Sequence, residues 1–168
     1  TMDKLLPIVT APNPILYQKT QTVKNFGKEL QDLVEKMIPT MRAKDGIGLA
    51  ATQVGAKQRV AVVEFVPREG EEGIAPVPLT VLVNPKIISH STETNVAEEG
   101  CLSLPDINLQ VPRYRRVKVL YWDINGKRHK IKATDLFARA LQHEIDHLDG
   151  ILITDRALET KEHKATQE

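Results

Sequence analysis

A chain of 168 residues with 41% hydrophobic and 27% charged side chains has enough apolar material for one sizeable core, so residues 1–168 are read as a single domain. Its formal net charge of +1 gives no electrostatic reason to expect a nucleic-acid partner. One cysteine excludes an internal disulfide and suits a reducing compartment, and no apolar run approaches the ~18 residues of a membrane span.

In chain order, residues 25–43 carry Leu30, Leu33, Val34, Met37, Ile38 and Met41 at helical spacing, and Asp45-Gly46 marks the stop. Residues 46–53, Gly-Ile-Gly-Leu-Ala-Ala-Thr-Gln, follow as a turn and then an extended segment. The β-branched stretch 59–66 predicts a buried strand, and 67–78, with three prolines and two glycines, predicts a loop between paired strands. Residues 79–83 and 86–89 read as strand pieces interrupted at Asn84-Pro85. The basic run Arg113-Tyr114-Arg115-Arg116-Val117-Lys118 alternates with apolar residues, as on the exposed face of a strand. A strand over 114–122 and another over 127–133 flank Asn125-Gly126, a hairpin signal because both turn residues tolerate positive φ. Thr134 is expected to cap a helix running through Leu148, with Asp135 in its first turn and Gly150 as its stop. A short helix over 155–163 closes the chain. The fold class is α+β: antiparallel strands wrapped around a central helix that carries a metal site.

That helix contains His143-Glu144-Ile145-Asp146-His147, an H-E-x-x-H motif. Two imidazoles at i and i+4 share one helix face and can hold one divalent metal, while the glutamate reaches a water bound beside them as general base. The third ligand is open. A zinc protease of the metzincin type would place a third histidine at position 153, where this chain has Ile153. Upstream, Cys101 in Glu98-Glu99-Gly100-Cys101-Leu102-Ser103 offers a thiolate, although a lone cysteine is also a common buried structural residue. Leu136, Ala140, His143 and His147 fall along one face of a helix that is apolar on most sides. His90, His129 and His163 lack such a setting and are read as surface residues. Asp146 has no role beside the metal, and a buried carboxylate needs a cation. The expected partner is Arg113, taken to open a strand beside the helix and to pair in a bidentate way where geometry allows; a backbone donor or plain solvent exposure of Asp146 are the alternatives.

The ordered triple G-x-G-L-A-A-x-Q (46–53), E-G-C-L-S (99–103) and Q-H-E-x-D-H (142–147) resembles the peptide deformylase family, with the likeness running from about Pro12 to Ile153. The resemblance implies a metal-dependent enzyme that hydrolyses the N-formyl group of formyl-methionine at the start of new polypeptides, releasing formate. It implies Cys101, His143 and His147 as metal ligands and Glu144 as the proton carrier. It also implies the side-chain amide of Gln53 and the backbone N–H of Leu102 as donors to the formyl oxygen. An extended peptide would add as a strand between Ile47-Gly48 and Glu99-Gly100. Ligand type alone favours zinc. The resemblance implies Fe2+, one per chain, with Ni2+, Co2+ or Zn2+ as substitutes. Partners would be formyl-methionyl peptides and nascent chains, with the ribosome nearby. The cell address would be cytoplasmic, of bacterial type, with an organellar form left open.

Overall fold

The computed structural model describes residues 5–158. A five-stranded antiparallel sheet has the order β1 (Gly48–Ala50), β2 (Val60–Phe65), β3 (Val77–His90), β6 (Arg116–Trp122), β7 (Arg128–Thr134). A separate two-stranded sheet is formed by β4 (Thr94–Cys101) and β5 (Leu104–Tyr114). Among the described residues three α-helices complete the fold, α1 (Lys28–Ala43), α2 (Asp135–Leu148) and the four-residue α3 (Ile153–Arg156), with short 3-10 turns at Pro14–Tyr17 and Ala51–Val54.

Strand periodicity explains the layering. Successive side chains leave opposite faces of a strand, so β2 buries both faces. Val60 and Val62 join the cluster made by Leu30, Val34, Met37 and Met41 of α1. Val63 lies in the cluster with Ala138, Leu141 and Ile145 of α2, and Ala61 meets Leu148. The sheet is thus sandwiched between α1 and α2, and β5 touches the metal-motif helix as well. A helix enclosed this way must be apolar on most sides, as α2 is.

Local differences from the sequence expectations have identifiable causes. β3 is one strand, not two, because Asn84 takes positive φ (51°) and the register with β6 shifts between Val83 and Lys86. That bulge turns the Asn84 amide onto the Val23 backbone, accepting at 2.8 Å and donating at 2.9 Å. β3 also begins at Val77, inside the expected loop. Between β6 and β7 only Gly126 has positive φ (84°), so the turn is not the mirror-image type that Asn-Gly usually forms. Asp123 organises it, its carboxylate accepting from the Asn125 and Lys127 N–H groups at 2.9 and 3.0 Å. The expected strand 114–122 is divided at Arg115, where the chain leaves one sheet for the other.

Thr134 flanks α2 but makes no side-chain cap. The helix start is fixed instead by the Asp135 N–H donating to the Arg115 carbonyl at 2.9 Å. Its end is fixed by Gly150, at φ 77°, where an added Cβ would come within 2.6 Å of the Tyr17 backbone. Arg59 donates to the terminal carbonyl of Leu148 at 3.2 Å and to Asp149 at 2.7 Å, placing a cation at the negative end of the helix. The expected closing helix over 155–163 is only partly met: α3 starts earlier and stops at Arg156, where Ala157 turns extended (φ −61°, ψ 147°), and the residues beyond 158 lie outside the described ones. Among the described residues no helix is long and apolar enough to cross a membrane.

Candidate active site

Three motifs distant in sequence meet at one face of α2. The ligand atoms of Cys101, His143 and His147 all lie within 4.8 Å of one another, with Cys101 Sγ 3.2 Å from His147 Nε2. Cys101 ends β4, and the two histidines sit one turn apart on the buried helix. Above them opens a cavity of about 520 Å³, large enough for the first residues of a peptide. Gly48, Gln53, Leu102, Leu136, Ala140 and Glu144 are among its walls.

Each histidine is prepared differently. His143 Nδ1 lies 2.8 Å from Glu99 Oε1, which leaves Nε2 to face the ligand cluster. His147 is almost fully enclosed, and burial, together with His143 and Arg113, holds its imidazole well below the usual pKa. A neutral imidazole is the form that binds metal. For His143, burial opposes the charged form, but Glu144, Cys101 and Glu99 outweigh it and push the pKa up to about 10. Surroundings this favourable to positive charge are ones a cation satisfies. One cysteine sulfur and two imidazoles facing each other in a partly enclosed site would fit a borderline divalent ion and leave a coordination position free for water.

Glu144 lies beside this cluster, 4% exposed, and its Oε1 has no hydrogen-bond partner among the described residues. Burial chiefly, resisted by His143 and reinforced by the charge of Glu99, pushes its pKa up to about 7. Such a carboxyl can take and return a proton near neutral pH. Gln53 is equally buried; its Oε1 accepts from the Ala50 N–H at 3.0 Å. That bond fixes which way the amide faces, so Nε2 points to Ser103 Oγ at 3.2 Å and Cys101 Sγ at 3.6 Å. β1 is an edge strand of its sheet. The Ile47 carbonyl is taken by the Glu64 N–H at 2.8 Å, so by alternation Gly48 turns its backbone to the open edge.

The expected Arg113–Asp146 pair is present at 2.5 Å, through a single nitrogen, between a buried arginine and a half-buried aspartate. The bidentate partner of Arg113 is Glu99, at 3.0 Å to each oxygen, while Asp146 also receives Arg156 from α3 at 3.1 and 3.2 Å. Arg113 does not open a strand; it is the penultimate residue of β5, on the buried parity with Val111. Replacing Asp146 with alanine leaves Arg113 with Glu99 alone and removes the carboxylate that Arg156 of α3 pairs with. The expected loss is about 2–3 kcal/mol in urea unfolding, because charge-assisted bonds in a half-dry site are removed.

Glu99 is the hub the sequence reading assigned only to substrate contact. Burial would raise its pKa, but His143 and Arg113 outweigh burial and hold it well below the usual carboxylate range. A depressed folded-state pKa contributes stability that is present above the unfolded value, near ~4.3, and lost as pH falls below it. The melting temperature is therefore expected to drop below about pH 4, and Glu99→Gln is expected to flatten that part of the profile. Gln142, also missed, clamps the Tyr114 backbone, accepting from its N–H and donating to its carbonyl at 2.9 Å each. Of the other histidines, His90 is exposed and stacked on Tyr114, while His129 is only half-exposed, pairing with Asp123 at 2.7 Å. His163 lies outside the described residues.

Known proteins agree with this geometry. The family model described as polypeptide deformylase matches residues 5–163. The peptide deformylase of Thermodesulfovibrio yellowstonii is 47% identical over 152 residues, 90% of this chain and 88% of the relative. That of Wolinella succinogenes is 41% identical over 164 residues, 98% of this chain and 95% of the relative. Among solved structures, the class I type b peptide deformylase of Acinetobacter baumannii with Met-Ala-Ser bound superposes with a TM-score of 0.88 at 35% identity, covering 92% of this chain and 99% of that one. The Thermotoga maritima peptide deformylase gives 0.82 at 38% identity, covering 94% and 100%. With the three motifs folded into one buried centre, and with relatives this similar over nearly their whole length, the chain belongs to the polypeptide deformylase family.

Proposed function

We propose that residues 1–168 act as one catalytic domain that hydrolyses the formyl group from formyl-methionyl peptides and nascent chains. The observation that carries this reading is the convergence of Cys101, His143 and His147 beside a buried Glu144 whose Oε1 has no hydrogen-bond partner among the described residues. Cys101 Sγ and the Nε2 atoms of His143 and His147 would hold one Fe2+, with Ni2+, Co2+ or Zn2+ as substitutes. When bound, the ion supplies Lewis acidity and lowers the pKa of a water toward neutrality.

The chain's own residues do the rest. An extended peptide adds to the open edge at Gly48 and lies against Glu99-Gly100, with Ile47 and Leu136 walling the first side chain. Glu144 takes a proton as the water oxygen bonds to the formyl carbon. The Gln53 amide and the Leu102 N–H donate to the formyl oxygen as it gains charge. The carbon–nitrogen bond then breaks, Glu144 returns its proton to the departing amine, and formate leaves. Nascent chains as substrates would put the protein where polypeptides are made, the cytoplasm for a bacterial type or an organelle for an organellar form.

The test is formate release from formyl-Met-Ala, with an unformylated peptide alongside. Formate without internal cleavage is expected; cleavage of an internal peptide bond without formate would assign the site to a protease instead.

Gly48 has a second duty. A Cβ there would stand 2.7 Å from Cδ and 2.9 Å from Cγ of Glu144, inside van der Waals contact. Gly48→Ala is therefore expected to displace the carboxylate and lower kcat by about 10²-fold, the scale of a misplacement near 1 Å, with the metal retained.

A further inference from the structure

We propose that Arg139 is a positioning residue for the metal centre, acting through Glu99 on His143. The proposal rests on the reading of Cys101, His143 and His147 as metal ligands. Arg139 sits on α2 one turn before His143 and is 9% exposed. Its Nη1 donates to Glu99 Oε2 at 2.5 Å and to the Val111 carbonyl at 2.8 Å. Its Nη2 donates to Asn95, to the carbonyl at 3.0 Å and to Oδ1 at 2.7 Å.

The Glu99 carboxylate therefore has two guanidiniums and one imidazole around it. Oε2 accepts from Arg139 and from Arg113 Nε; Oε1 accepts from Arg113 Nη2 and faces His143 Nδ1. With Arg113 alone, the carboxylate could pivot about that fork. Arg139 removes the freedom, because it approaches Oε2 from α2 while anchored to the backbone of both β4 and β5. The orientation of His143 then depends on an arginine that touches neither the ion nor the substrate's reacting atoms. Groups that orient a metal ligand in this way commonly change metal retention by about 10–100-fold.

The experiment uses Co2+-loaded protein, read by its visible ligand-field bands and by the rate of Co2+ transfer to EDTA. Arg139→Gln is expected to shift the bands and speed release about 10-fold in the native background. In a Glu99→Gln background the same substitution is expected to change the rate less than about 2-fold, since the path through the carboxylate is already cut. Equal acceleration in both backgrounds, or wild-type bands and rate with only the melting temperature lowered, overturns the proposal. Should Arg139→Gln not fold, Arg139→Lys enters the same cycle. Lysine keeps a donor for Glu99 but loses the second nitrogen that holds Asn95, so about 3-fold faster release is expected, again only where Glu99 is present. Wild-type protein that takes up no Co2+ overturns the metal-site reading itself before any variant is compared.

Discussion

Replacing Glu144 with alanine is expected to lower kcat by about 10³-fold or more while metal content stays that of the wild type. In the proposed mechanism two proton transfers run through this one carboxyl, from the attacking water and to the leaving amine, so its loss is expected to be large among the effects of general acid–base groups. The side chain is not among the three that could hold the ion, and its Oε1 has no partner among the described residues, so removing it breaks no hydrogen bond made there by that oxygen. Glu144→Gln keeps the shape and should be as inactive, which separates proton transfer from packing. A variant of either kind with near-native turnover at saturating formyl-Met-Ala, metal content equal, would move the proton-carrying role to another group.

The parts of this site that could be read from sequence are those carried by local chemistry. His143, Glu144 and His147 declare themselves by i, i+4 spacing, and the pairing of Asp146 with Arg113 followed from the cost of an unpaired carboxylate on a buried helix. The helix α1 and strand β2 followed from apolar periodicity. The β4–β5 hairpin left no such trace. Its strands are mostly exposed on both faces, so hydrophobic alternation is faint, and its turn at Leu102-Ser103 lacks the glycine or asparagine that marks a tight hairpin. Without that hairpin, Glu99 and Arg139 could not be seen to meet, since 40 residues separate them. The basic run misled for a related reason. Arg113 shares the parity of Val111, facing inward, and only its two acidic partners make that burial tolerable. The capping expectation at Thr134 failed because the chain enters α2 straight from the β7 pairing, with Asp135 at φ 52°, and Arg115 already supplies an acceptor.

Gln53→Leu is expected to cost about 10²–10³-fold in kcat with little change in KM, because a donor aimed at the formyl oxygen strengthens as that oxygen gains charge. The amide is set for this before substrate arrives. The Ala50 N–H holds Oε1 at 3.0 Å, so the donor face is turned toward Cys101 and Ser103, at the floor of the cavity. Leucine is close to glutamine in size and would keep the packing of a side chain that is 2% exposed. It would leave the Ala50 N–H and Ser103 Oγ without their present partner, so a stability loss of about 1–3 kcal/mol is expected alongside. The two effects separate in Gln53→Glu. Its carboxylate can still accept from Ala50, but it offers no donor to an oxyanion and adds a negative charge beside the sulfur of Cys101. Activity should fall at least as far as in Gln53→Leu, whereas the Ala50 contact survives. If Gln53→Glu instead retained wild-type kcat, the amide would be a structural clamp on the turn after β1 and the Leu102 N–H would be left as the chain's donor to the formyl oxygen.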